Sequence, residues 1–138
     1  MAPIEDSSQA DANTKLLGSV LSCFDEDMNP VNYIEAARTP GGTIAGYVMV
    51  ADHPMQRFIV QANSNIGVDA LGNHADVAGV AGDTGTGISK AEIGAEIVGQ
   101  GNMLIIAPHL EDDATAADCR WIVQISEHYY AGSPLAGA

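Results

Sequence analysis

Apolar and polar positions along this chain alternate with a period of two far more often than with a helical period. In residues 47–63, YVMVADHPMQRFIVQAN, an apolar run ends at a polar break, Asp52-His53-Pro54. A second run follows, with Phe58 and Val60 on one face and Arg57, Ile59 and Gln61 on the other. This pattern predicts two short strands joined through a proline-containing turn. Farther on, Ala91, Ile93, Ala95 and Ile97 alternate with Glu92, Gly94 and Glu96, which predicts a strand with one wet face. Trp121, Val123 and Ile125 alternate with Arg120, Ile122, Gln124 and Ser126 in the last strand. Residues 103–107 form an unbroken apolar run stopped by Pro108, the pattern of a strand buried on both sides. Upstream, residues 16–24 and 31–37 predict two more strands, separated by the acidic turn Asp25-Glu26-Asp27 and Asn29-Pro30 and closed by Pro40-Gly41-Gly42.

Helical periodicity is weak everywhere, and residues 111–118 have room for one helical turn at most. The expected fold is therefore all-β, a compact β-barrel or β-sandwich of about six to eight short strands. Trp121, Val123, Ile125, Phe58, Val60, Ile93 and Ile97 are its expected core. Residues 64–89 are rich in Gly, Ala, Asp and Asn and predict a long loop region with one weak strand near residues 74–80. Loops of that length are usually functional or pinned by a partner. Residues 2–14, APIEDSSQADANT, are small, polar and acidic, with Ile4 the one large apolar side chain. Such a segment cannot bury enough surface to offset its ordering entropy, so it gains order only against its own domain or another chain. The expected organisation is an extended arm, residues 1–15, followed by one β-domain, residues 16–138.

Composition narrows this picture. Apolar residues make up 46% of the 138 positions but aromatic ones only 5%, so Val, Ile, Leu, Met and Ala must fill the core. Five basic against eighteen acidic residues give a formal charge of −13. Binding to nucleic acid or to an anionic membrane draws on clustered Lys and Arg, and here Lys15, Arg38, Arg57, Lys90 and Arg120 stand singly. Neither partner is expected. Residues 1–15 lack the basic start and apolar centre of a signal peptide, and no apolar stretch has the length to span a bilayer. A soluble chain with Cys23 and Cys119 as free thiols is the expectation, one internal bridge being the alternative.

Candidate chemistry is sparse. His53, His74, His109 and His128 show no H-x-H or H-x-x-x-H spacing, so no metal ligand set is expected. The run GVAGDTGTG at residues 79–87 lacks the lysine of a phosphate loop, and Asp69, Asp76 and Asp83 do not match the ligand spacing of a calcium loop. Ser19, Ser22 and Cys23 have no nucleophile elbow near them, and Arg120 beside Cys119 is a weak activator alone. No cofactor and no enzymatic activity are expected. Glu111-Asp112-Asp113 suits a solvated acidic turn or a contact for a basic partner. Tyr129-Tyr130 stands at the root of a Gly/Ala-rich tail, where paired tyrosines can anchor an oligomer interface or cap the β-domain.

Four blocks in order resemble the head decoration, or cement, proteins of tailed bacteriophages. They are YVMVADHPMQRFIVQAN (residues 47–63), IGVDA (66–70), GDTGTGISKAEI (82–93) and DCRWIVQISEHYYAG (118–132). Residues 1–40 depart from the family, with Val31-Asn32-Tyr33-Ile34-Glu35 where a Gly-Asp-Pro-Val-type strand ending is usual. The resemblance implies a virion structural protein, assembled in the host cytoplasm and placed on the outer surface of an icosahedral head. There it would bridge major capsid protein subunits against internal pressure, summing many weak contacts. It also implies a homo-oligomer, a trimer before a dimer. The expected contact residues are Ile4, Glu5, Asp6 and Asp11 on the arm and Tyr129 and Tyr130 at the tail. A virion fibre-base or host-surface adhesin and a small cupin-like β-barrel enzyme are the alternatives.

Overall fold

A computed structural model of the chain describes residues 15–34, 46–78, 83, 86, 88, 90–97 and 99–131, with backbone alone at 96 and 97. Among these residues the protein is all-β, with eight strands in two antiparallel sheets and no α-helix. The strands are β1 (Ser19–Phe24), β2 (Pro30–Val31), β3 (Tyr47–Ala51), β4 (Arg57–Gln61), β5 (His74–Ala78), β6 (Glu92–Ile97), β7 (Met103–Pro108) and β8 (Arg120–Ile125). One sheet has the order β2-β1-β3 and the other β4-β8-β7-β5-β6.

The larger sheet owns the core. Period-two alternation sends Trp121, Val123 and Ile125 of β8 to one face, and the ladders set Val60 opposite Trp121, Phe58 and Ile105 opposite Val123, and Met103 opposite Ile125. Ala75 and Val77 of β5 and Ile93 of β6 extend the same face, and Phe58 and Val60 pack against it half-buried. The sheet curls until its two edge strands touch: Ala62, just past β4, forms a single parallel bridge with Ile93, and the Asn63 N–H donates to the Ile93 carbonyl at 3.0 Å. One bridge does not make a ladder, so the barrel stays open. β-bulges between Ala75 and Val77 and between Ile105 and Ala107 supply bending within the sheet.

The smaller sheet contributes no side chain to this core. Glycine is required at both ends of its β1–β3 ladder. A methyl group on Gly18 would run into the Ala51 carbonyl oxygen, and one on Gly46 into the Phe24 carbonyl oxygen. The β1–β2 connection is fixed by Asp25, whose Oδ1 accepts the N–H groups of Asp27 (2.9 Å) and Asn29 (2.8 Å).

Several expectations are corrected. The strand expected over residues 31–37 is only Pro30–Val31, because Asn32 already leaves the ladder; residues 35–37 lie outside the described ones. The first strand begins at Ser19, and Leu16 belongs to a separate bridge described below. β7 is not fully buried on both sides: Met103 and Ile105 are buried while Leu104 and Ile106 are only half-buried, because among the described residues the second face of the sheet is covered only in part. β5 is no weak strand in a loop but an interior one, paired with both β6 and β7. Residues 111–118 form turns without a helix, and a short 3-10 turn, Val68–Ala70, lies in the segment before β5. The side chain of Ile97 lies outside the described residues.

Candidate interaction surface

The start of the β-domain and the end of its last strand are stitched together by one residue. Leu16 forms a parallel bridge with His128: its N–H donates to the Glu127 carbonyl at 2.9 Å and its carbonyl accepts the Tyr129 N–H at 2.8 Å. His128 is 1% exposed, and its Nδ1 accepts the Tyr130 N–H at 3.1 Å. His128 is thus both hydrogen-bonded and wholly buried. Tyr129 and Tyr130 project beyond it, 52% and 61% exposed, with their rings edge-on at 5.6 Å. The Tyr130 ring also lies beside the buried His128 ring, with centroids 5.9 Å apart.

A buried polar cluster holds this seam from beneath. The Asn102 N–H donates to Asp76 Oδ1 at 3.1 Å, its Nδ2 to Glu127 Oε2 at 3.3 Å, and its Oδ1 accepts the Val77 N–H at 3.4 Å. Its carbonyl accepts the Ser126 N–H at 2.9 Å, and the Ser126 hydroxyl donates to the Gly101 carbonyl. Asn102 therefore ties β5 and the turn before β7 to the segment that carries the tyrosines. Gly101 fits because an added Cβ would lie 3.0 Å from His74 Cβ and 3.2 Å from Asp76 Oδ1.

The smaller sheet presents Val20, Leu21 and Met49 to solvent, and Met28 stands exposed at its hairpin tip with a left-handed φ of 67°. That conformation closes the turn, in which the Met28 N–H donates to the Asp25 carbonyl at 3.2 Å and the Asp25 N–H to the Asn29 carbonyl at 2.9 Å.

A third surface is acidic. Arg120 makes a two-pronged contact with Asp112, Nε to Oδ2 at 2.9 Å and Nη2 to Oδ1 at 2.8 Å, and its backbone N–H adds a bond to Oδ2 at 2.8 Å. These bonds lower the Asp112 pKa from its ordinary 3.8 to about 2 and raise that of Arg120. Asp113 is held below its ordinary value by the Thr115 hydroxyl and N–H. Burial, then Asp112, pushes the Cys119 thiol up, which makes it a poor nucleophile. Glu111, Asp113 and Asp118 surround this latch, exposed, along a shallow depression beside Gln61. The acidic turn is thus built rather than merely solvated.

Of the contact residues expected from sequence, Tyr129 and Tyr130 stand exposed at the seam, while Ile4, Glu5, Asp6 and Asp11 lie outside the described residues. The histidines do not converge: His53 accepts the Met55 N–H in the turn before β4, His74 lies on β5, His109 follows β7, and His128 is in the seam. Among the described residues no three His, Cys, Asp or Glu side chains group to hold a metal ion, and no helix is long and apolar enough to cross a membrane. Cys23 and Cys119 are both free. Sequence reasoning missed Leu16, Asn102 and His128, whose roles arise from long-range pairing with no local signal. It also missed the solvent-facing Val20 and Leu21, which the bulge between Val20 and Ser22 sets apart from simple alternation. No protein-family model matches the chain, and neither do curated proteins or solved structures.

Proposed function

We propose that this protein is a non-enzymatic virion component that decorates and cements a bacteriophage head by bridging major capsid protein subunits on its outer surface. The observation that supports the reading most directly is the Leu16–His128 bridge, which sets the first described residues beside the exposed pair Tyr129 and Tyr130. Capsid contacts made by the acidic residues 1–15 and by the tyrosine pair would then act from neighbouring points on the domain, a two-part grip suited to a capsid surface. The rigid β-domain supplies mass and stiffness, and the exposed acidic turn suits basic groups on the partner. Extended backbone gains affinity by pairing with a strand edge, with Ile4 as apolar anchor and Glu5, Asp6 and Asp11 as charge contacts. Repetition over the shell, in a homo-oligomer, multiplies each contact.

Co-sedimentation with emptied phage heads tests this. The full chain should pellet with heads, removal of residues 1–15 should sharply lower occupancy, and Tyr129→Ala with Tyr130→Ala should lower it further. Full occupancy by the truncated chain would sink the two-part grip. The tyrosine pair also favours a second reading, a host-surface adhesin, because exposed rings stack on sugars. Binding to host cells that the double alanine variant abolishes, with no binding to heads, would select that reading.

A further inference from the structure

We infer that β3 is a self-association edge, through which two copies of this chain pair antiparallel into one continuous sheet. β3 lies at the end of the order β2-β1-β3, and among the described residues nothing pairs with its outer edge. Natural edge strands are commonly guarded by a charge, a proline or a bulge. Tyr47-Val48-Met49-Val50-Ala51 carries no charge and no proline, and the irregularity in its ladder falls between Val20 and Ser22 on β1. Met49, at its middle, is 55% exposed. Val20 and Leu21 on the adjacent strand are exposed as well, so the edge continues into an apolar surface that the core does not use.

Charge selects the occupant. On a chain of formal charge −13, a basic partner is drawn to the carboxylates, whereas a second copy must meet it where carboxylates are missing. Full overlap of β3 with its own copy puts Met49 opposite Met49 on the two-fold axis. Asp52, the first charge beyond the strand, then falls opposite Gly46. The two Asp52 side chains sit about 20 Å apart at strand spacing, outside the Debye length of physiological salt. A two-fold contact of this kind is self-complementary and closes on itself. It favours the dimer among the oligomers the phage resemblance implies, and it rests on the fold and charge pattern rather than on the cement reading.

Sedimentation velocity of the full chain across a concentration series tests the pairing. The expected result is a monomer–dimer equilibrium that strengthens as salt screens the overall repulsion. Met49→Lys should weaken it by at least about tenfold, since it sets two like charges on the axis. Mixing Met49→Lys with Met49→Glu should restore a heterodimer. Amide exchange over residues 47–51 of the unaltered chain should slow at dimer-forming concentration, a readout that needs no variant. A monomer at high micromolar concentration, a trimer, unchanged association of Met49→Lys or concentration-independent exchange would each overturn the inference. Head binding is scored separately: a monomer that pellets with heads overturns this pairing alone, and a dimer that does not pellet overturns the cement reading alone.

Discussion

Trp121 is the one tryptophan of the chain and is fully buried inside the curled sheet, facing Val60 across β4 and Pro108 across β7. Its replacement by alanine should cost about 3–5 kcal/mol through lost burial and an unfilled cavity. Chemical denaturation followed by circular dichroism measures this, and a loss below about 1 kcal/mol would contradict the packing described. Asp112 makes a prediction of the opposite kind, one of charge. Its folded pKa of about 2 lies below its ordinary 3.8, so the ionised carboxylate stabilises the fold above that ordinary value. The contribution is lost as pH falls through the folded value. Asp25 and Asp113 shift in the same direction and add to the acid limb. Stability of the Asp112→Asn variant, measured by denaturation at stepped pH, should therefore fall less steeply than the parent's between 3.8 and 2. Parallel acid limbs would show that the Arg120 contact does not form in solution.

At the scale of elements, the two sheets separate into a body and an appendage. Every buried apolar residue described belongs to the larger sheet or to the segments beside it, so the smaller sheet can be damaged with the body left standing. Gly18→Ala or Gly46→Ala forces a methyl into the carbonyl of the facing strand, and overpacking of this kind typically costs about 1–3 kcal/mol. Trp121 fluorescence should stay native in both variants while amide protection across β1 and β3 falls. Loss of the tryptophan signal together with the ladder would show the sheets to be one cooperative unit. Most strands were legible in the sequence because alternation marks a half-buried strand well. β5 was under-read because Ala75 and Val77 are small side chains in a Gly/Asp-rich stretch, and its interior place depends on β6 and β7 arriving on either side. β7 was over-read because an apolar run does not say how many faces will be covered.

For the whole molecule, the decisive arrangement is the meeting of the domain's first described residues with the segment after β8. Attachment through an acidic arm should weaken as salt rises, whereas pairing through β3 should strengthen, so one salt series with two readouts separates the surfaces. Removing residues 1–15 should leave the β-domain folded, with the Trp121 signal unchanged, because Leu16 and all core residues remain. A truncated chain that loses its tryptophan signal would instead make the arm part of the domain.

The sequence by itself determined the all-β class, most strand positions and the inward row of Trp121, Val123, Ile125 and Ile93, because side-chain direction in a strand follows from alternation alone. It marked the acidic turn Glu111-Asp112-Asp113 as a surface feature, because a core cannot absorb a run of three carboxylates, and it left the tyrosine pair between an interface anchor and a cap. Tertiary structure alone decided how the strands divide into two sheets and that the larger one curls without closing into a barrel, because strand order depends on contacts between residues far apart in the chain. It alone placed Leu16 against His128, buried Asn102 beneath the seam and, among the described residues, left the outer edge of β3 without a partner strand. A residue's own neighbours carry no record of which distant strand will come to lie beside it.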